Sequence, residues 1–327
     1  MRRWGRRGHS GGAAPAKMHF VGPLERLRYL RSVAAFEQLP MDEVLLLGQN
    51  VREVSFRSGE TLIGSGEGKD LAYLIVDGSV RVEGRGPEPA SVQGGGSVGF
   101  ISLLAGQELE QHCVAESDVA ALELERDIFW DILEDRFAIF VPTMREVASE
   151  LLVYRQMITD GTVLSGVVDP PSIPADRPIE LVERLIAMRG TGVFKRASLD
   201  AIIEFSRTLE ECRIPAGTVL WRAWEPSGFA HFVIRGSVHC RLPDGRVFRS
   251  TVGYPVGNLE SQAREPRWYT ATAETDLVTF RSESNAYLDI LEDHFDMAEE
   301  FLTTLASNVI RARVALDEKG LRKEVSA

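Results

Sequence analysis

The chain has 327 residues, 37 Lys plus Arg against 48 Asp plus Glu, a net charge of −11 and 44% hydrophobic residues. At roughly 150 residues per domain, that length fits two cores and excludes a single small module. No apolar run approaches the ~20 residues that cross a bilayer, and Cys113, Cys212 and Cys240 are too few and too scattered for a disulfide framework or a metal knuckle.

The start of the chain departs from the acidic average. Arg2, Arg3, Arg6, Arg7 and Lys17 precede Met18 without one acidic residue. This Gly- and Arg-rich composition reads as a leader over residues 1–22, disordered or lying upstream of a true start at Met18, with an arm for an anionic surface as the alternative.

From Glu25 onward the chain repeats itself at a constant offset of 158 residues. Glu25-Arg26-Leu27 returns as Glu183-Arg184-Leu185, Gly59 and Leu62 as Gly217 and Leu220, and the stretch Phe129–Phe137 as Tyr287–Phe295. Each repeat predicts a short helical lead-in, a series of short strands and a long closing helix. Tyr73 with Ile75 and Val80 with Val82 alternate around Asp77-Gly78, which reads as a hairpin, and Arg235-Gly236 keeps the glycine. The period then changes. Leu133, Phe137, Phe140, Met144, Val147 and Leu151 step by threes and fours, and Leu291, Phe295, Ala298, Leu302, Leu305 and Val309 copy the stripe. Pro142 reads as the first turn of a second helix or a bend. The stripes read as faces packed on the protein's own sheets, with a homodimer seam through the C-terminal helix as the alternative. Between the repeats, Pro170, Pro171, Pro174 and Pro178 mark a linker. The expected organisation is a leader over 1–22, a first domain over 23–157, a linker over 158–178, a second domain over 179–316 and a tail over 317–327. No DNA-reading helix-turn-helix fits after Leu316.

With Gly-x-x-Leu early in each repeat and Gly78-Ser79-Val80 returning as Gly236-Ser237-Val238, this layout resembles the cyclic-nucleotide-binding domain family. Two copies in tandem are similar in layout to the regulatory subunits of cyclic AMP-dependent protein kinase. The resemblance implies an α+β, mainly β fold of two antiparallel β-barrel or jelly-roll domains with flanking helices. It also implies a phosphate-binding cassette: a glycine opens a short helix toward the cyclic phosphate, a Glu takes the ribose hydroxyl and an Arg pairs with the phosphate. In the first repeat Gly99 is kept, but Phe100 stands at the Glu position and Leu109 at the Arg position. In the second, Gly257, Asn258 and Leu259 open the cassette and Pro266-Arg267 keeps the family's Pro-Arg, while Asn258 replaces the Glu and Tyr269 replaces a small residue. Strand alternation turns Arg267 and Tyr269 to one side.

A hydrogen bond to a charged group contributes about 1.5–3 kcal/mol, so losing two abolishes a nucleotide site in the first repeat and losing one reduces it in the second. The expectation is a non-enzymatic, cytoplasmic regulatory or adaptor protein acting through unidentified protein partners. The alternative is a cyclic AMP or cyclic GMP sensor, with Arg267 on the phosphate, Asn258 on the ribose and Trp268 or Tyr269 on the base. On the adaptor reading, Arg267 pairs with Glu260 or Glu265 on a surface loop, and its replacement by Ala leaves stability nearly unchanged.

Catalytic chemistry finds no support in the residue pattern. His9, His19, His112, His231, His239 and His294 include no H-x-H pair for a cupin-type metal, and His231 and His239 read as surface or rim residues. There is no nucleophile elbow and no P-loop, so no catalytic residue, metal or cofactor is expected. Gly94-Gly95-Gly96 reads as a turn, and Trp221, Trp224 and Trp268 read as core or interface residues.

Overall fold

The computed structural model describes residues 22–33, 36–64, 69–83, 90–107, 112–158, 177–191, 194 and 196–319. Most of the expected leader, linker and tail lies outside them, as does Leu109.

Alternating apolar residues give the first repeat two four-stranded antiparallel sheets. One runs β1 (Arg52–Phe56), β8 (Val119–Glu125), β3 (Leu71–Asp77), β6 (Ser97–Val98), and the other β2 (Thr61–Ile63), β7 (His112–Ala115), β4 (Ser79–Glu83), β5 (Ala90–Gln93). Leu62, Tyr73, Ile75, Val80, Cys113 and Ala121, drawn from both sheets, close on one core. The second repeat copies this order strand for strand. Its sheets are β9 (Glu210–Ile214), β16 (Leu277–Glu283), β11 (Phe229–Arg235), β14 (Pro255–Val256), and β10 (Val219–Trp221), β15 (Thr270–Ala273), β12 (Ser237–Arg241), β13 (Val247–Thr251). Strands that alternate between two facing antiparallel sheets make a jelly roll.

The expected hairpin at Asp77-Gly78 is not one. β3 and β4 belong to opposite sheets, and Gly78 turns the corner between them at φ +92°, where a Cβ would fall 2.3 Å from the Asp118 carbonyl oxygen. Gly236 repeats the corner at φ +91°. The alternation resembled a hairpin because Tyr73, Ile75 and Val80 point into one core from two sides. The paired hairpins are β4 with β5 and β12 with β13.

Helices hold more residues than strands, which corrects the expectation of a mainly β fold. The first repeat carries α1 (Pro23–Leu30), α2 (Met41–Asn50), α3 (Phe100–Ala105), α4 (Arg126–Asp135) and α5 (Phe137–Met157). The second carries α6 (Leu181–Arg189), α7 (Leu199–Thr208), α8 (Asn258–Ala263), α9 (Ser284–Asp293) and α10 (Phe295–Lys319). Pro142 sits inside α5 rather than at its start. The break before α5 falls at Arg136, and His294 makes the same break before α10 at φ −131° with no proline nearby.

The helical stripes bury themselves within the chain. α5 packs along α10, α5 also covers α8 of the second repeat, and α10 covers α3 of the first. This reciprocal exchange is an intrachain counterpart of an isologous dimer interface. Thr303 Oγ1 donates to the Leu104 carbonyl at 3.2 Å, Gln107 Nε2 to Ser307 Oγ at 3.1 Å, and Arg313 pairs with Glu150. The face expected to offer a homodimer seam is thus occupied by the protein's own other half. One apolar cluster runs through both repeats, and the interior between the first repeat's two sheets forms a second.

Candidate functional site

The cassette of the second repeat begins where β14 ends. Gly257 takes φ +82°, and a Cβ there would lie 2.4 Å from Arg267 Nη1 and 2.9 Å from the Trp221 ring, so only glycine lets the guanidinium approach this backbone. Arg267 reaches it from the extended segment before β15. That segment is held by the Arg267 amide donating to Glu225 O at 2.9 Å and the Trp224 amide donating to Arg267 O at 2.7 Å.

The Arg267 side chain is 0% exposed. Nη1 donates to Gly257 O at 2.8 Å and to Glu260 Oε1 at 3.3 Å, and Nη2 donates to Phe229 O at 2.7 Å. The guanidinium carbon lies 4.1 Å from the Trp221 ring centroid and 4.7 Å from that of Phe229, close enough for cation–π attraction in a desolvated setting. Glu260 is itself 1% exposed. Burial pushes its carboxyl up, and the Arg267 charge pulls against that shift. Tyr269 completes the cluster: its hydroxyl accepts from the Gly257 amide at 3.0 Å, and burial holds it well above the usual phenol range, hence neutral.

Arg267 therefore pairs with Glu260, but in the interior and not on a surface loop. This corrects the expectation that Arg267→Ala is nearly neutral for stability, since deleting one member of a buried pair strands the other. Arg267, Tyr269 and Gly257 meet at one point. Asn258, the first residue of α8, is half-buried, Leu259 is buried, and Trp268 is buried with its ring stacked on Phe248 at 5.4 Å. Trp221 is core, while Trp224 is 71% exposed. His231 is not a rim residue: it is buried, shares a 2.8 Å hydrogen bond between Nδ1 and Thr279 Oγ1, and stacks on Trp221. Glu260 and Phe229 are the partners that sequence reasoning did not assign to the interior, whereas it reads Trp221 as core or interface. The available signal was that Glu260 stands in register with Ser102, in a cassette helix otherwise apolar in the first repeat.

A cavity of about 450 Å³ opens beside α8, walled by Gly257, Glu260, Phe248, Trp268 and Tyr269, with Arg155 of α5 contributing from the first repeat. In that first repeat Gly99 keeps the left-handed entry at φ +81°, but α3 is buried and apolar apart from Ser102. The Phe100 ring turns toward the helices, packing 5.5 Å from Phe129 and 6.5 Å from Phe36. Among the described residues no group of His, Cys, Asp and Glu could hold a metal ion, and no helix is long and apolar enough to cross a membrane.

Residues 53–136, spanning both sheets of the first repeat with α3 and α4, match the family model of the cyclic nucleotide-binding domain. The first repeat carries a cyclic nucleotide-binding domain. No curated protein matches the chain. Among solved structures, the chain is similar to the regulatory domain of Toxoplasma gondii PKA co-crystallised with cAMP (16% identity, 86% of this chain and 94% of that one, TM-score 0.33). It is also similar to the regulatory subunit of a cAMP-independent protein kinase A from Trypanosoma brucei (17% identity, 93% and 94%, TM-score 0.34). A third is the N-terminal domain of a Streptomyces coelicolor transcriptional regulator (24% identity, 41% and 99%, TM-score 0.37). The fold assignment rests on the strand order above and on the family match. The second repeat copies the strand order of the first, with different residues around the glycine that opens its short helix.

Proposed function

We propose that this is a non-enzymatic regulatory or adaptor protein whose two cyclic-nucleotide-binding-like domains act through protein partners, with the nucleotide's place closed from within. The observation that carries this reading is the fully buried Arg267, whose guanidinium is engaged by Glu260 and by the Gly257 and Phe229 carbonyls. A cyclic phosphate that claimed Arg267 would strand the Glu260 carboxylate, at a cost of about 3–5 kcal/mol, which corresponds to a roughly hundred- to several-thousand-fold loss of affinity. The Gly257 amide, the donor a phosphate would need, is committed to Tyr269. Three free cysteines fit a reducing, cytoplasmic setting.

The cavity of about 450 Å³ beside α8 favours a second reading, a cyclic AMP or cyclic GMP sensor, because its size falls in the range of small-molecule sites. Calorimetric titration of the full chain with each nucleotide, with Trp emission followed in parallel, separates the two. Absence of heat and of spectral change up to millimolar nucleotide supports the adaptor. Micromolar binding replaces it with the sensor.

A further inference from the structure

At five corresponding positions the first repeat is apolar and the second is polar or charged, and the second repeat's residues all line one cavity. Phe100, Leu104, Leu124, Phe129 and Gly106 become Asn258, Gln262, Ser282, Tyr287 and Arg264. In the first repeat this place is solid, with the Phe100 ring against Phe36 and Phe129 and with Leu104 and Leu124 buried. In the second, Asn258 leaves the ring's space open. The result is a cavity of about 60 Å³, closed on its apolar side by Phe194, Phe232 and Phe301.

The polar atoms around it lack partners. Gln262 Oε1, Ser282 Oγ and the Tyr287 hydroxyl are buried without a hydrogen bond among the described residues, and Ser282 and Tyr287 are only 5% and 7% exposed. Such groups in a dry interior are costly unless something satisfies them. Arg145 of α5 and Arg264 at the end of α8 also line the cavity, one arginine from each repeat. Burial and the Arg264 charge together hold Arg145 below its ordinary range. Neither arginine has a carboxylate partner among the described residues. Arg264 also holds its place in the left-handed region at φ +58°, where the first repeat has Gly106.

We propose that this cavity between α5, α8 and α9 binds a small hydroxy- or oxo-carboxylate. Its carboxylate lies between Arg145 and Arg264, its oxygen substituent meets Ser282 and Tyr287, and its short alkyl end rests on Phe194, Phe232 and Phe301. Two uncompensated cations, unmet hydroxyl groups and an aromatic wall are the complement of that chemistry. None of Arg267, Tyr269 and Trp221 lines this cavity, although Asn258 borders both it and the larger cavity beside Arg155.

The test titrates the full chain with 3-hydroxybutyrate at constant ionic strength, read by saturation-transfer NMR on the ligand methyl and by thermal unfolding. The expected result is saturable binding that raises the Tm, weakened about ten- to hundred-fold in Arg264→Gly. That variant restores the residue of the first repeat at a left-handed position and so retains the fold. Asn258→Phe, which restores the first repeat's ring, abolishes binding, and 3-hydroxybutyramide, lacking the charge, binds at least about tenfold more weakly. Absence of saturable binding, equal binding of the amide, or unchanged binding in Arg264→Gly overturns the proposal.

Discussion

Replacing Arg267 by Ala removes a cation that touches only protein. The bonds to Gly257 O at 2.8 Å and Phe229 O at 2.7 Å disappear, as does the contact with the Trp221 ring at 4.1 Å. The Glu260 carboxylate is left in an apolar interior with its main counter-charge gone. Breaking a buried pair from one side costs about 3–5 kcal/mol. Glu260 relieves part of that cost by taking a proton, because burial already raises its carboxyl and Arg267 no longer opposes the shift. A raised folded pKa contributes stability at low pH that is lost as pH rises through it. The deficit of the variant against the parent is therefore smaller at pH 5 than at pH 7. Urea unfolding followed by Trp emission reads this directly, since Trp221 lies against Arg267 and Trp268 is its chain neighbour. The double variant Glu260→Gln/Arg267→Met, which leaves no stranded charge, recovers about 1–2 kcal/mol of the loss. A deficit under about 1 kcal/mol at pH 7, the value of an exposed pair, would refute the buried pair and return Arg267 to a surface role.

Three further outcomes follow from the same geometry. Gly236→Ala places a Cβ 2.5 Å from the Asp276 carbonyl oxygen at φ +91°, and it lowers stability to urea by at least about 1–3 kcal/mol; a neutral result would contradict the corner between β11 and β12. Burial, aided by the charges of Arg281 and Arg267, pushes His231 down to about 4 from 6.5. The unfolded chain then binds a proton that the native chain refuses, so stability is complete above pH 6.5 and drains away as pH falls toward 4, by about 3 kcal/mol in total. His231→Gln flattens the urea midpoint over that window, and an unchanged slope would show that another group is responsible. Burial pushes Cys113 up to about 12 and raises Cys240 well above its ordinary range, whereas Cys212 is only half-buried. A thiol reagent at pH 8 should label native protein at Cys212 alone and all three cysteines after denaturation, as read by intact mass; native labelling of Cys113 would place it outside the core.

The register of the two repeats, the strand-rich middle, the long amphipathic helices and the cassette glycines were all legible in the residues. Each of these depends on local periodicity or on a backbone angle that one residue type supplies. The Gly78 corner was misread because a period of two records which face of a strand is apolar, not which sheet the strand joins. Pro142 suggested a helix break that Arg136 makes instead, since a proline removes one donor whereas the break answers to how α4 and α5 pack. Arg267 and Tyr269 could be named from the cassette pattern, but not their burial. That required Trp221, Phe229 and Glu260, distant by as many as 46 positions in the case of Trp221, to close around one guanidinium.

What the sequence by itself determined was two copies of one helix–strands–helix unit and the place of its turn glycines, because strand alternation, helix stripes and positive-φ glycines are properties of neighbours along the chain. The jelly roll and the cassettes came from the family resemblance. Only the tertiary structure decided that α5 and α10 cross to the opposite repeat, that their apolar stripes pack on each other, and that Arg267 faces Glu260 in the interior. Those outcomes depend on which surfaces lose water together, and that is settled by contacts between residues far apart in sequence.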